Sequence, residues 1–304
     1  MPIIEVRSLA PIAGRWQFEA EHARYVSPDE VARVSYGLAV SNIRVRTGTL
    51  KAAVSLGRTT EAAGRIAFGY SAATGAYFTA GLGGYKYAYV LDEFRPGVGW
   101  SAIRTAGSLE NVVPNQEYEI AVSLRGQRVS LSVDGVRVVT GTLPNPLLDD
   151  QVGIFAWGDA EIRFRQLHAE VQRQRAFVVM QFGDPYNSVY TDVIKRVAED
   201  NGFDAYRVDE VYGPGIILRD IIRGLAESDV IIAEITPPNP NVFYELGYAH
   251  ALEKPTILLA ERGRQLPFDI SGYRCILYDN SIKGKGELET LLTNHLRAIL
   301  HGED

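Results

Sequence analysis

The chain has 304 residues, 46% of them hydrophobic, and 31 Lys+Arg against 37 Asp+Glu give a net charge of −6. That content suits two ordinary cores and is too apolar for a disordered chain. One cysteine, Cys275, excludes an intramolecular disulfide framework, and five scattered histidines offer no Cys/His spacing for zinc, so no structural metal is expected.

No apolar run approaches the ~20 residues that a membrane span needs, and Met1-Pro2-Ile3-Ile4-Glu5 does not read as a leader. A soluble, cytoplasmic protein is the expectation. Residues before Gln172 carry 17 Lys+Arg and 17 Asp+Glu, and those after it carry 14 and 20, so the acidity belongs to the second half. Neutralising nucleic-acid phosphates takes clustered basic residues, which an acidic half lacks, so no nucleic-acid partner is expected.

From Gly14 to about Glu170 short alternating runs are broken by turn residues. Arg65 to Tyr70, Ala76 to Ala80 and Glu117 to Leu124 have the period of two that marks strands. Val129 to Val133 and Val136 to Val139 flank Asp134-Gly135, the pair that supplies the positive φ angles of a tight hairpin. Gln151 to Ala156 and a closing strand from Ala160 to Ala169 follow. Many strands and no clear helix indicate an all-β sandwich. The order of these strands resembles the concanavalin A-like or laminin-G-like jelly roll, which implies a sensor or ligand-binding role for residues 1–172. Tyr85, Tyr87, Tyr89, Phe94 and Trp100 can form an aromatic binding face, although packing between strands is the plainer fate of such residues.

The short polar segment Val171 to Arg175 sets the boundary, and the second domain spans 173–304. There the pattern alternates: strand Ala176 to Met180, helical spacing at Val189, Val193, Ile194 and Val197, strand Phe203 to Val208, helix Ile216 to Ala226 and strand Val230 to Ile235. Helix Val242 to Leu252, strand Thr256 to Ala260, strand Cys275 to Tyr278 and helix Leu288 to Leu300 complete it. Alternating β and α units with apolar strands predict an α/β flavodoxin-like parallel sheet of five strands, which binds ligands at its carboxyl edge.

Asn239-Pro240 or Asn241-Val242 caps the helix that carries Glu245. Val242, Leu246, Ala249 and Leu252 repeat at helical spacing toward the sheet, so Glu245 and Tyr248 flank that stripe and can border the cleft. A carboxylate there stabilises the positive charge that gathers on a ribosyl carbon as its N-glycosidic bond breaks. A solvated glutamate near a helix N-terminus is the plainer reading of spacing alone. The run Asn241-Val242-Phe243-Tyr244-Glu245-Leu246-Gly247-Tyr248-Ala249, followed by Lys254-Pro255 and an apolar strand, is similar to the signature of the Toll/interleukin-1 receptor (TIR)-like and nucleoside 2-deoxyribosyltransferase-like superfamily. The resemblance implies a catalytic Glu245, as nucleophile or as the group that holds the ribose. It also implies nucleotide contacts from Gln181, Phe182 and Gly183 after the first strand, and an acidic residue at Glu234. Arg207 and Asp209 end the second strand at the same edge, and Asn241 opens the helix. Gly213-Pro214-Gly215 is placed like the loop that gates the site in TIR domains.

Pro237-Pro238-Asn239-Pro240-Asn241 is a stiffer approach than the small-residue turn of the deoxyribosyltransferases and is closer to bacterial TIR-like effectors. The leading expectation is therefore a TIR-like effector that hydrolyses or cyclises NAD, with NAD as substrate, no cofactor, an anti-phage role, self-association on activation and an unknown trigger bound by the sandwich. The alternatives are a nucleoside or nucleotide deoxyribosyltransferase or N-hydrolase, for which Glu234 is the candidate proton donor, and a non-catalytic nucleotide receptor. No Gly-Lys-Ser/Thr phosphate loop or dinucleotide Gly-x-Gly-x-x-Gly occurs in the second half, so kinase and dehydrogenase chemistry have no support.

Overall fold

The computed structural model describes residues 8–19, 21–26, 36–58, 61–147, 149–211, 216–264 and 273–301. The chain divides into two compact units, Met1–Leu143 with Leu147–Gln172, and Pro144–Pro146 with Arg173–Asp304.

The strands of the first unit are, in order, β1 (Ala10–Ala13), β2 (Arg15–Phe18), β3 (His22–Val26), β4 (Tyr36–Arg44), β5 (Gly48–Leu56), β6 (Ala62–Tyr70) and β7 (Tyr77–Leu82). After these come β8 (Tyr87–Arg95), β9 (Gly99–Ser108), β10 (Glu117–Arg125), β11 (Arg128–Val133), β12 (Val136–Thr142), β13 (Gln151–Gly158) and β14 (Ile162–Val171). They form two seven-stranded antiparallel sheets, β1-β4-β13-β6-β7-β8-β9 and β12-β11-β10-β5-β14-β3-β2, which make the expected sandwich. Alternate residues such as Val54, Leu56, Ile66, Phe68, Leu91, Ile120, Ile154 and Phe164 fill the space between the sheets. Asp134 and Gly135 take φ of 49° and 78° and join Val133 to Val136 in the hairpin that the Asp-Gly pair predicts.

A second cluster lies on the first sheet, with Leu38, Ala63, Ala67, Tyr70, Tyr77 and Phe155 buried and Phe94, Trp100 and Trp157 packed against them. Strand alternation turns these residues away from the inter-sheet core. A Cβ added at Gly64 would meet Val54, Leu56 and Ile162, so its neighbours Ala63 and Arg65 belong to the opposite face. Of the five aromatics expected as a binding face, Phe94 and Trp100 pack together at 5.1 Å between centroids and Tyr89 packs on the main core, while Tyr85 and Tyr87 are exposed.

The second unit runs β15 (Gln174–Val179), α1 (Tyr186–Val189), a π-helical turn (Tyr190–Lys195), α2 (Arg196–Asp200) and β16 (Phe203–Tyr206). It continues with α3 (Ile217–Glu227), β17 (Val230–Glu234), α4 (Pro240–Ala251), β18 (Thr256–Glu261), β19 (Cys275–Tyr278) and α5 (Ile282–His301). The five strands are parallel in the order β16-β15-β17-β18-β19, the α/β flavodoxin-like arrangement. Val178, Ile232 and Leu259 face Ile194, Val197, Leu292 and Leu296 on one side. Phe177, Ile231, Ala233 and Leu258 face Leu225, Val242, Leu246 and Ala249 on the other. Strands buried on both faces explain the unbroken apolar runs. The β16 strand stops at Tyr206, two residues short of expectation, and α5 begins six residues early at Ile282. The loop Gly213-Pro214-Gly215 and the N-terminal Met1 to Glu5 lie outside the described residues. No helix among the described residues is long and apolar enough to cross a membrane.

Candidate functional site

Strand order reverses between β15 and β17, so the crevice for a ligand opens where their carboxyl ends part. Val179 pairs with Ala233 in the register, which sets Gln181 and Glu234 on either side of that point. The α4 helix begins at the same edge. Asn239 is its cap: the Asn239 side chain accepts the Asn241 amide at 2.9 Å, and Pro240 takes the first helical position, where no amide hydrogen is needed. The Asn239 Nδ2 group also donates to Gln181 Oε1 at 3.4 Å and so ties the loop after β15 to the helix start.

On α4, Val242, Leu246 and Ala249 enter the core, and Leu252 is half-buried at the C-cap. Asn241, Glu245 and Tyr248 follow one another at i, i+4 and i+7 along the border of that stripe, exposed at Asn241 and half-buried at the other two. Among the described residues Glu245 has no hydrogen-bond or ion-pair partner, and burial pushes its carboxyl up to about 7. Helix-dipole stabilisation fades after the first turn, and Glu245 stands in the second, so loss of water decides the direction. The group is neither turned out to bulk water nor locked in an ion pair.

Glu234 differs. It is 1% exposed at the end of β17, and its Oε1 accepts the Thr236 amide at 2.9 Å and the Thr236 hydroxyl in a shorter bond. Thr236 Oγ1 accepts in turn the Glu261 amide at 3.1 Å, pinning the turn after β17 to β18. Among the described residues Glu234 Oε2 is buried without a hydrogen bond of ordinary geometry, although the Tyr278 phenol stands close to it. Burial pushes the group up to about 7, against weaker opposing help from Thr236 and the nearby Tyr278 phenol. Alternation sends Val230, Ile232 and hence Glu234 to the α1/α5 face, whereas α4 covers the other face. Burial alone accounts for the rise at Glu245, so the two carboxyls do not act on each other. As placed, Glu234 braces the turn and is not an open ligand contact.

Arg207 is 8% exposed, and its guanidinium donates to both Asp209 oxygens at 3.0 and 2.7 Å and to Asn187 Oδ1 at 3.0 Å. It lies 4.2 Å from the Tyr190 ring centre and 5.0 Å from that of Phe182. Asn187 Oδ1 also accepts the Gly183 amide at 3.4 Å. Phe182, Gly183, Arg207 and Asp209 are thus joined through Asn187 in one network that fixes the loop after β15, while Gln181 is held separately by Asn239. With its donors engaged, Arg207 positions that loop and does not reach for a ligand. Phe182 is half-exposed over it, and Gly183, at φ +106°, has open space where a side chain would stand. Sequence reasoning missed Asn187, Tyr190 and Thr236. For Thr236 a hydroxyl two residues beyond an acid that ends an apolar strand was the available signal; the other two carried none. The described residues contain no cluster of three or more His, Cys, Asp or Glu able to hold a metal.

No protein-family model matches the chain. Among solved structures it is similar to a carbohydrate-binding module from Bacillus subtilis, with 17% identity, 54% of this chain and 95% of that one covered, and a TM-score of 0.46. It is also similar to a CMP N-glycosidase from Clostridium botulinum, with 22% identity, 39% and 97% covered, and a TM-score of 0.33. Among curated proteins it is similar to the 5-hydroxymethyl-dUMP N-hydrolase of Rattus norvegicus, with 32% identity over 117 residues, 36% of this chain and 70% of that protein. With that identity over more than two thirds of the relative, the chain belongs to the family of 5-hydroxymethyl-dUMP N-hydrolase.

Proposed function

We propose that the C-terminal unit hydrolyses the N-glycosidic bond of a nucleoside monophosphate, with Glu245 acting at the sugar's anomeric carbon. The observation that carries this is a half-buried carboxylate without a partner among the described residues, pushed up to about 7 by burial, beside the crevice of a doubly wound sheet. Family membership supports the same reaction and favours a nucleoside monophosphate over NAD.

The Glu245 carboxylate attacks the anomeric carbon as the bond to the base breaks, and the base leaves with the electron pair. Water then attacks the glycosyl ester, frees Glu245 and gives up a proton to the departed base. The net reaction is nucleotide plus water to free base plus sugar phosphate. Among the described residues no acid is paired with Glu245.

Incubating the protein and its Glu245→Gln variant with pyrimidine and purine nucleoside monophosphates and with NAD, and weighing the products by mass spectrometry, tests the reading. Base release from a monophosphate that vanishes in Glu245→Gln supports it. Release of nicotinamide alone would replace it with the TIR-like reading, which the Pro237 to Asn241 approach favours and to which self-association, a sandwich-bound trigger and an anti-phage role belong. Equal inertness of both proteins toward every substrate would favour a receptor.

A further inference from the structure

We propose that the β-sandwich holds one neutral sugar ring in a pocket on its first sheet, walled by Trp100, Trp157 and Tyr85 over a buried Arg65–Asp92 pair. This site lies outside the C-terminal chemistry and does not depend on it. The pocket has a volume of about 200 Å³ and is lined by Arg65, Gly84, Tyr85, Asp92, Trp100, Phe155 and Trp157. Drug-sized ligands occupy roughly 300–1,000 Å³, so this hollow takes a single ring.

The floor is unusual for the outward face of an antiparallel sheet, which ordinarily carries solvated polar residues. Arg65 and Asp92 are 4% and 0% exposed, and the guanidinium pairs with the carboxylate in a short contact. Arg65 also donates to Thr79 Oγ1 at 3.2 Å and to the Gly83 carbonyl at 3.0 Å, and Thr79 donates to Asp92. Replacing a buried ion pair with apolar residues is often neutral or stabilising, so stability alone is a weak reason to keep one here. Its charges cancel, which removes the gain for an anion or a cation. Asp92 also takes a hydrogen bond from the Tyr85 hydroxyl, so what remains at the floor is one acceptor position on its carboxylate and one hydrogen on the Arg65 guanidinium. Hydroxyl groups, which donate and accept, fit that edge.

The walls match the remainder of such a ligand. Two half-buried indoles and the Phe155 and Tyr85 rings present flat apolar surfaces to the C–H face of a ring. Tyr85 adopts φ +52°, uncommon for a non-glycine residue, with its ring 6.0 Å from the Arg65 guanidinium carbon. Gly84 allows that approach, since a Cβ there would stand 1.9 Å from Arg65 Nη2. Tyr77, in ring contact with Trp100 and Phe155, buries a hydroxyl that has no hydrogen-bond partner among the described residues.

Two of the chain's three tryptophans line this pocket, while Trp16 packs on Phe18, Tyr25 and Phe164 elsewhere in the sandwich. Intrinsic fluorescence of the full chain is therefore the readout. The probes are methyl glycosides of glucose, galactose, mannose, fucose and fructose, with glucose 6-phosphate and glucuronate for comparison. At least one neutral glycoside should give a saturable change with a Kd of about 1 mM or below. Trp157→Ala should weaken that binding at least tenfold while the chain still unfolds cooperatively from a native-like circular dichroism spectrum, and Trp16→Phe should leave it unchanged. The proposal is overturned by no saturable change with any neutral glycoside, by equal binding in Trp157→Ala, or by a response to the charged sugars alone.

Discussion

Glu245 and Glu234 share a carboxyl pushed up to about 7 by burial, but only Glu234 has partners. Under the proposed mechanism ionisation of Glu245 arms the attack, so kcat/KM should rise through about pH 7 and level off above it. Glu245→Gln should cost on the order of a thousandfold or more in turnover. The variant should melt no lower than the wild type at pH 8, because the amide removes a charge that the folded state dislikes. Loss of turnover together with loss of folding would show Glu245 to be structural. At Glu234 the effect is on stability. Its folded value lies above the ordinary 4.5, so the favourable contribution is complete below about 4.5 and is lost as pH rises through about 7, in total on the order of 3 kcal/mol. Urea unfolding at pH 5 and pH 8 should show wild type losing stability relative to Glu234→Gln across that window. A difference that stays constant with pH would sink this account of the buried carboxyl.

The α4 helix couples folding to the site through one residue. Asn239 caps it by accepting the Asn241 amide and tethers Gln181 by donating from the other end of the same side chain. Asn239→Ala should therefore cost about 1 kcal/mol of stability and also raise KM. Asn239→Asp keeps the acceptor but has no donor, so its melting temperature should hold while KM rises; a matched KM in Asp and wild type would show the tether idle. The helix was legible because its signals are local: Asn-Pro at the start and an apolar stripe at Val242, Leu246 and Ala249. The π turn over Tyr190–Lys195 was not, since Val189, Val193 and Val197 keep ordinary helical spacing around it. The facing of Glu234 was hidden for a related reason. A strand apolar on both faces shows no alternation to say which way its last side chain turns. The network joining Arg207 to Asn187 and Phe182 draws on separate chain segments and exists only in three dimensions.

Each unit of the molecule buries its own core, one between two antiparallel sheets and one on both faces of a parallel sheet. The change in hydrophobic period near Gln172, from two to helical, marked the change of fold class, whereas the outward aromatic layer with its Arg65–Asp92 pair was visible only as scattered strand residues. Separate cores imply separate cooperative units, since a domain unfolds when its own packing fails. Calorimetry of the intact chain should then show two transitions. A ligand raises only the transition of the unit that it binds, by about 2.7 kcal/mol at a concentration of 100 times its Kd. For the C-terminal unit, of ordinary domain size, that is several degrees. A pyrimidine nucleoside monophosphate added to Glu245→Gln, which binds without turning over, should lift one transition, and a neutral glycoside should lift the other. A single transition shifted by both would mean that the two cores melt as one, and the sandwich would then be part of the enzyme's folding unit instead of an independent binding module.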